Sequence, residues 1–589
     1  MNNLKSSKIR VIVLFFIGIF ISCILLLVRW QVIERDKFLA IAKERVVNRE
    51  VPAIRGDILA SDGTALAYSE PRFNIIVYKT ELEFAEKYHK QTRDEFVNKV
   101  SNALGIKKSE LINLLDSDGV WIKIKDKVTF DEKEKVLNLK RDNNLSKNLE
   151  GLRVEYAFKR IYPEGKLACH LVGFVGKNEI GEELGVAGLE NYWDGILKAQ
   201  KGFELKEIDS FGNIIALDKL DRVEAKRGST IQTTIDKNLQ SIIESEIEDA
   251  VKRYEAKSGT IIVMDPKNGA ILALANFPNF NPNDYYKVTN PDVFKNVALT
   301  DPAELGSVGK VFTMSGAINE GAIEPDTVVT NGHNGCTVVK EKERDWKICT
   351  YDKKPQGPLT ATQALVKSDN LALFEVAKLI GPEKLHDYLL KFGIGKRTGI
   401  DVSGESSGQL ADISDWSNVD LATFAYGHGY QMTAIQAITA YSSIANGGKL
   451  FTPFVVSSII NSDGNKKEFP PLVVETPISE DTANKMKAMM YEVFKHNLVE
   501  RRYRDLKKYK IAMKSGTALI PYKDKAGYSN EINATYIGFD ASSAQTFVML
   551  VKLEEPKNTY DRLSFYSARI VWLDTFIKMK DYLGVPTVY

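Results

Sequence analysis

Ser307 and Lys310 stand three residues apart in the run Asp301-Pro302-Ala303-Glu304-Leu305-Gly306-Ser307-Val308-Gly309-Lys310-Val311-Phe312-Thr313, where Gly306 precedes a helical pattern. Residues at i and i+3 share a helix face, so this spacing sets an amine beside a hydroxyl near a positive helix end. A free hydroxyl is a poor nucleophile and needs an adjacent base to take its proton. Lysine can serve only when uncharged, and its ordinary pKa of about 10.4 keeps it charged near pH 7. Burial against Val311 and Phe312, and a second cation nearby, would both lower it. Ser-x-x-Lys alone more often marks a helix N-cap followed by a solvated lysine. Ser307 to Lys310 is its only occurrence in the chain.

Two further clusters follow. Lys367-Ser368-Asp369-Asn370 opens a helical stretch at Leu371. Ser368 could relay a proton and Asn370 could hold a substrate amide, although an N-cap accounts for the same residues. Lys514-Ser515-Gly516-Thr517 comes after Tyr509-Lys510-Ile511-Ala512-Met513, which reads as a strand. On an edge strand it would offer Lys514 as the second cation and Gly516 as a place for substrate backbone to lie close. Lys257-Ser258-Gly259-Thr260 is the same tetrapeptide, so order and context have to separate the two.

The elements that would position these residues lie in a region of about 230–589. Apolar strand-like runs at 261–264 and 270–275 are joined by Asp265-Pro266-Lys267-Asn268-Gly269, a turn in which proline presets φ and Asn-Gly tolerates positive φ. Helical patterns follow at 307–320, at 371–380 before Gly381-Pro382, and at 433–446 before Gly447-Gly448. Residues 534–539 and 546–553 read as buried strands and 568–583 as a terminal helix, which together predict one sheet between helices. Upstream, residues 31 to about 225 are rich in Lys and Glu, with a helical period at 83–104 and alternation at 72–78. That stretch predicts an α+β spacer or docking platform.

At the N-terminus, residues 11–28 carry no charge, and as a helix they span roughly 27 Å, enough for a bilayer core. Lys5, Lys8 and Arg10 hold the N-terminus in the cytoplasm, a bias that Arg29, Arg35 and Lys37 weaken. Without a small-x-small cleavage site the segment reads as an uncleaved signal anchor.

Composition narrows the alternatives. Lys plus Arg (79) nearly cancels Asp plus Glu (77), so no basic field points to nucleic acid. The 6 histidines are scattered without metal-ligand spacing, and the 4 cysteines form no C-x-x-C pair, so no metal or other cofactor is implied. Cys336 and Cys349 are close enough to be bridged in an oxidising compartment, and two free thiols fit as well.

In the order Ser-x-x-Lys, Ser-Asp-Asn, Lys-Ser-Gly, the three clusters are the set found in penicillin-binding proteins and class A β-lactamases. The sequence resembles the class B, monofunctional penicillin-binding proteins over nearly its whole length. Arg55-Gly56-Asp57-Ile58 with Asp62-Gly63, Arg160-Ile161-Tyr162-Pro163-Glu164-Gly165 with His170 and Gly173-Phe174-Val175-Gly176, and Gly188-Leu189-Glu190 are similar to landmarks of that family's non-catalytic domain. Met264-Asp265-Pro266 with Gly269, and Ala425-Tyr426-Gly427-His428-Gly429 before Thr433, are similar to landmarks of its catalytic domain.

The resemblance implies a multidomain α+β architecture: a cytoplasmic tail over 1–10, an anchor over 11–28, a non-catalytic pedestal over 29–228, and a transpeptidase domain over 229–589 with an antiparallel sheet between helices. It implies that Ser307 attacks a D-alanyl-D-alanine stem peptide, that Lys310 takes its proton, and that Ser368 with Lys514 passes a proton to the leaving D-alanine. Backbone N–H groups of Ser307 and Thr517 would form the oxyanion hole, with Asn370, Ser515, Gly516 and Thr517 holding the donor. Implied partners are peptidoglycan stem peptides, β-lactams, the membrane, a polytopic glycan polymerase and division-complex proteins, but not nucleic acid. The Asn281-Pro282-Asn283-Asp284-Tyr285 segment and the short spacer are more similar to the cell-division (septal) branch than to the elongation branch. A D,D-carboxypeptidase and a non-catalytic β-lactam-binding scaffold or sensor are the other functions compatible with these motifs. A secreted β-lactamase would need neither spacer nor anchor. Leu305 stands where the family usually has proline and Gly309 where a bulkier residue is common, which predicts a loosely begun nucleophile helix.

Overall fold

The structure is a computed structural model that describes every residue except 1, 36–45, 141–148, 180, 208–221, 342–344, 523–526, 558–562 and 589. The chain folds as two compact units, one of residues 1–54, 70–159 and 199–227, the other of 55–69, 160–198 and 228–589.

In the first unit, Asn2–Val28 is a single helix continued by a wider turn over Arg29–Ile33. Val11–Ile33 is 23 residues long with a mean hydropathy of 3.3 and no buried residue. At about 1.5 Å per residue it exceeds the ~30 Å hydrocarbon thickness, so it is long and apolar enough to cross a bilayer once. The globular part of this unit pairs residues 73–78 antiparallel with the strand Trp121–Val128. Phe96, Val100, Leu104 and Leu111 from two helices close over Ile75 and Val77. The helical period at 83–104 is divided into Lys79–Tyr88 and Arg93–Leu104. Lys90 takes a φ of 59°, and the Thr92 hydroxyl caps the second helix by accepting from the Glu95 N–H, so the local cap breaks a continuous amphipathic pattern.

In the second unit, segments far apart in sequence meet around one buried carboxylate. Glu190 is fully buried and accepts from Arg55 Nε at 2.7 Å and Arg160 Nε at 2.6 Å. Two guanidinium groups around a carboxylate without solvent access make its removal costly, since Arg160 would lose its carboxylate while buried and Arg55 would fall back on Asp194, 2.6 Å away.

The main sheet has five antiparallel strands in the order Ile271–Phe277, Ser258–Met264, Val548–Glu554, Tyr528–Asp540, Ile511–Pro521. Residues 532–541 and 548–553 are buried without interruption, which requires cover on both faces. The helices Lys237–Arg253 and Ala568–Met579 pack together against the sheet, with Trp572 donating to Met549 O at 2.9 Å. The helix Ala434–Ala445 also packs on the sheet, beside Glu480–Asn497, which in turn contacts Lys310–Asn319. The result is the α+β, helix–sheet–helix arrangement that the sequence predicts. It leaves Ile511–Pro521, the strand of Lys514, at an edge.

Candidate active site

Ser307 lies in a short 3-10 turn, Gly306–Gly309, that runs directly into the helix Lys310–Asn319. The turn rests on the edge strand backbone to backbone. A Cβ on Gly516 would fall 2.0 Å from Leu305 O, and one on Gly306 would fall 2.4 Å from Thr517 O. Only glycine permits this approach at both positions. Gly309 does not loosen the helix start as its small size suggests. It is wedged in place, because a Cβ there would meet Tyr430 Oη at 2.2 Å and Gly427 Cα at 2.6 Å.

Lys310 is fully buried, and its amine contacts Ser368 O at 2.5 Å, Ser368 Oγ at 3.0 Å and Asn370 Oδ1 at 2.7 Å. Burial, and then the positive charge of Lys514, hold the Lys310 pKa well below its ordinary value, while the negative charge of Asp369 opposes them. Lys514 is 1% exposed, donates to Ser368 Oγ and Ser515 O at 3.0 Å each, and has its pKa pulled down to about 7 by burial. Both lysines therefore converge on one hydroxyl. A neutral amine has two hydrogens and one lone pair, and two of the three oxygens around Lys310 are carbonyls that can only accept. Those carbonyls take both hydrogens and leave the lone pair facing the Ser368 hydroxyl. The three groups thus form a continuous line for a proton: Lys514, Ser368, Lys310.

The i, i+3 spacing predicts the Lys310 amine beside Ser307, but no hydrogen bond joins them among the described residues. The tertiary structure turns the amine to the Ser368 turn instead. Asn370 is oriented by its other end, Nδ2 donating to Cys349 O at 2.9 Å. Cys349 closes a hairpin with Cys336, its cross-strand partner, and the two are disulfide-bonded. Thr517 Oγ1 donates to Ser564 Oγ at 2.9 Å and accepts from Ser564 N at 3.1 Å. Ser307, Lys310, Ser368, Asn370, Lys514, Ser515, Gly516 and Thr517 are thus gathered at one sheet edge.

The duplicate tetrapeptide is elsewhere. Lys257 is half-exposed and paired with Glu554 at 2.6 Å, at the start of an interior strand. Sequence spacing carries no signal for Cys349 O, Ser564 or His333, because each reaches the cluster from a distant segment. Glu304 is likewise buried, with its pKa raised by desolvation, and accepts from Gly429 N and Tyr528 Oη at 3.1 Å each.

A sheet between helices whose free edge carries a serine–lysine–serine–lysine cluster is the architecture of the active-serine acyltransferases that react with penicillin. The chain belongs to the penicillin-binding protein family: residues 259–571 match the penicillin binding protein transpeptidase domain and 50–233 the penicillin-binding protein dimerisation domain. It is 28% identical to Stage V sporulation protein D of Bacillus subtilis over 90% of this chain and 78% of that one. To the peptidoglycan D,D-transpeptidase FtsI of Escherichia coli it is 26% identical over 90% and 84%. Among solved structures, penicillin binding protein 2X from Streptococcus thermophilus shares the fold with a TM-score of 0.73 at 22% identity, covering 92% of this chain and 81% of that one. Penicillin binding protein 3 of Mycobacterium tuberculosis, complexed with ampicillin, does so with a TM-score of 0.66 at 22% identity, covering 92% and 97%.

Proposed function

We propose that the protein is a serine D,D-transpeptidase that cross-links peptidoglycan stem peptides through an acyl-enzyme on Ser307. One observation carries the reading: two buried lysines with lowered proton affinity share the Ser368 hydroxyl beside a serine held on the edge strand. Ser307 Oγ attacks the carbonyl of the penultimate D-alanine, and the uncharged Lys310 amine, its lone pair turned from the Ser368 hydroxyl to Ser307, takes its proton. Backbone N–H groups of Ser307 and Thr517 stabilise the oxyanion. As the peptide C–N bond breaks, Ser368 gives its proton to the departing D-alanine nitrogen and is resupplied from Lys514. Asn370, Ser515, Gly516 and Thr517 hold the donor peptide. An acceptor amine from a neighbouring stem then displaces Ser307, which recovers a proton along the same line.

The names of the relatives support this substrate class, and the ampicillin complex of a fold relative supports β-lactams as pseudo-substrates of the same serine. We further propose residues 29–228 as the non-catalytic pedestal and 229–589 as the transpeptidase domain. The Val11–Ile33 helix anchors both, once, in a bacterial cytoplasmic membrane with the catalytic domain outside. The similarity to the transpeptidase FtsI favours a septal role, beside a polytopic glycan polymerase and other division proteins. The test is labelling of the purified chain with a fluorescent penicillin: wild type is labelled and Ser307→Ala is not. Equal labelling of both overturns the assignment.

A further inference from the structure

We propose that His333 is a positioning residue for acylation: its imidazole fixes Asp369, and through Asp369 the Ser368 turn whose oxygens hold the Lys310 amine. The proposal rests on the reading of Ser307, Lys310 and Ser368 as the acylation machinery.

The backbone of His333 is clamped by Gln356, donating to its carbonyl at 2.9 Å and accepting from its N–H at 2.8 Å. The His333 side chain is only 10% exposed. Gly335 N–H donates to His333 Nδ1 at 3.1 Å, so Nδ1 is the unprotonated nitrogen and the ring proton sits on Nε2. Nε2–H then donates to Asp369 Oδ2 at 2.8 Å. The other carboxylate oxygen accepts from Leu371 N and Ala372 N at 2.9 Å each, capping the helix Asn370–Lys391. Both oxygens of this carboxylate, 4% exposed, are thus committed in fixed directions.

The consequence falls on the neighbouring residue. Ser368 has a φ of 55°, the left-handed region that a residue with a Cβ holds only when its surroundings insist. It ends one helix, Ala361–Lys367, as Asp369 begins the next. In that conformation its carbonyl and hydroxyl both face Lys310. His333 is the outside contact that the Asp369 side chain makes from beyond this two-helix turn, among the described residues. Glutamine can extend an N–H donor to Asp369 from the same position, whereas leucine fills the space without one.

The full-length chain in detergent is tested with a fluorescent penicillin at varied concentration, separating the limiting acylation rate from the non-covalent dissociation constant. His333→Leu is expected to lower the limiting rate by roughly tenfold to a hundredfold with the dissociation constant unchanged, the scale of a misplaced catalytic group. His333→Gln is expected to restore most of that rate. In an Asp369→Asn background His333→Leu is expected to add little further loss, since the two act as one unit. A His333→Leu chain acylated at the wild-type rate, leucine and glutamine variants equally slow, or a loss confined to the dissociation constant would each overturn the proposal. An unlabelled wild type would instead overturn the serine acyl-transfer reading beneath it.

Discussion

Replacing Lys514 by methionine keeps a long, unbranched side chain in the site and removes only its amine. Lys514 is 1% exposed, and burial takes its pKa from 10.5 to about 7. A factor of ten in a proton equilibrium is about 1.4 kcal/mol, so carrying this group in the folded chain costs roughly 4 kcal/mol at pH 7. Methionine forfeits the hydrogen bonds to Ser368 Oγ and Ser515 O. At about 1 kcal/mol each, their loss leaves a net stabilisation on the order of 2 kcal/mol, a rise of several degrees in unfolding midpoint. The folded-state pKa lies below the unfolded one, so the unfolded chain binds the extra proton between about pH 7 and 10.5, and wild-type stability climbs with pH across that window. The destabilisation by the lysine is full below about pH 7 and fades above it. Denaturation of both proteins between about pH 6 and pH 10 should therefore show the variant ahead at the acid end, with the gap closing and then reversing toward the alkaline end, where the cost of the lysine falls below that of the two lost hydrogen bonds. The same samples should show slowed penicillin labelling, which marks stability given up for activity. A Lys514→Met chain that unfolds no later than wild type at pH 7, or a gap that stays constant with pH, would show that burial of this amine does not cost the folded chain stability.

The substitution Asp369→Asn removes the charge that raises the Lys310 pKa. More of the amine is then uncharged at a given pH, and the acid limb of penicillin acylation should move to lower pH in a rate–pH profile; a limb that moves upward contradicts the assignment of Lys310 as base. Gly309→Ala places a Cβ 2.2 Å from Tyr430 Oη and 2.6 Å from Gly427 Cα in a buried contact. Overpacking of this kind costs about 1–3 kcal/mol, so thermal unfolding should come several degrees earlier with acylation slowed, and an unchanged midpoint would show that the contact relaxes freely.

Short-range chemistry makes part of the fold legible from residue types alone. The turn at 265–269, the break at Gly381 and the capped helix at 433 are features of this kind, and the structure carries each: Gly269 at a φ of 84°, Gly381 non-helical at 81°, and Thr433 in a capping box. The helical period at 83–104 reads as continuous although the structure divides it, because a periodic pattern does not register a threonine cap that restarts the helix in the same phase.

Legible in the residues alone were which groups can react, their order along the chain, the principal strands and helices of the catalytic region, and that one segment can span a membrane. These depend on residue type and on neighbours within a turn or two. Order along the chain already separated the two identical Lys-Ser-Gly-Thr strings, but only the tertiary structure decided that Lys310 turns its amine to Ser368 and Asn370. It also decided that His333 braces Asp369 beside Ser368, that Cys349 O braces Asn370, and that Cys336 is bridged to Cys349. Each of these is a contact between segments that lie beyond one another's local reach along the chain. Their energies depend on burial and on the exclusion of water, and neither exists until the sheet and its helices have closed around the site.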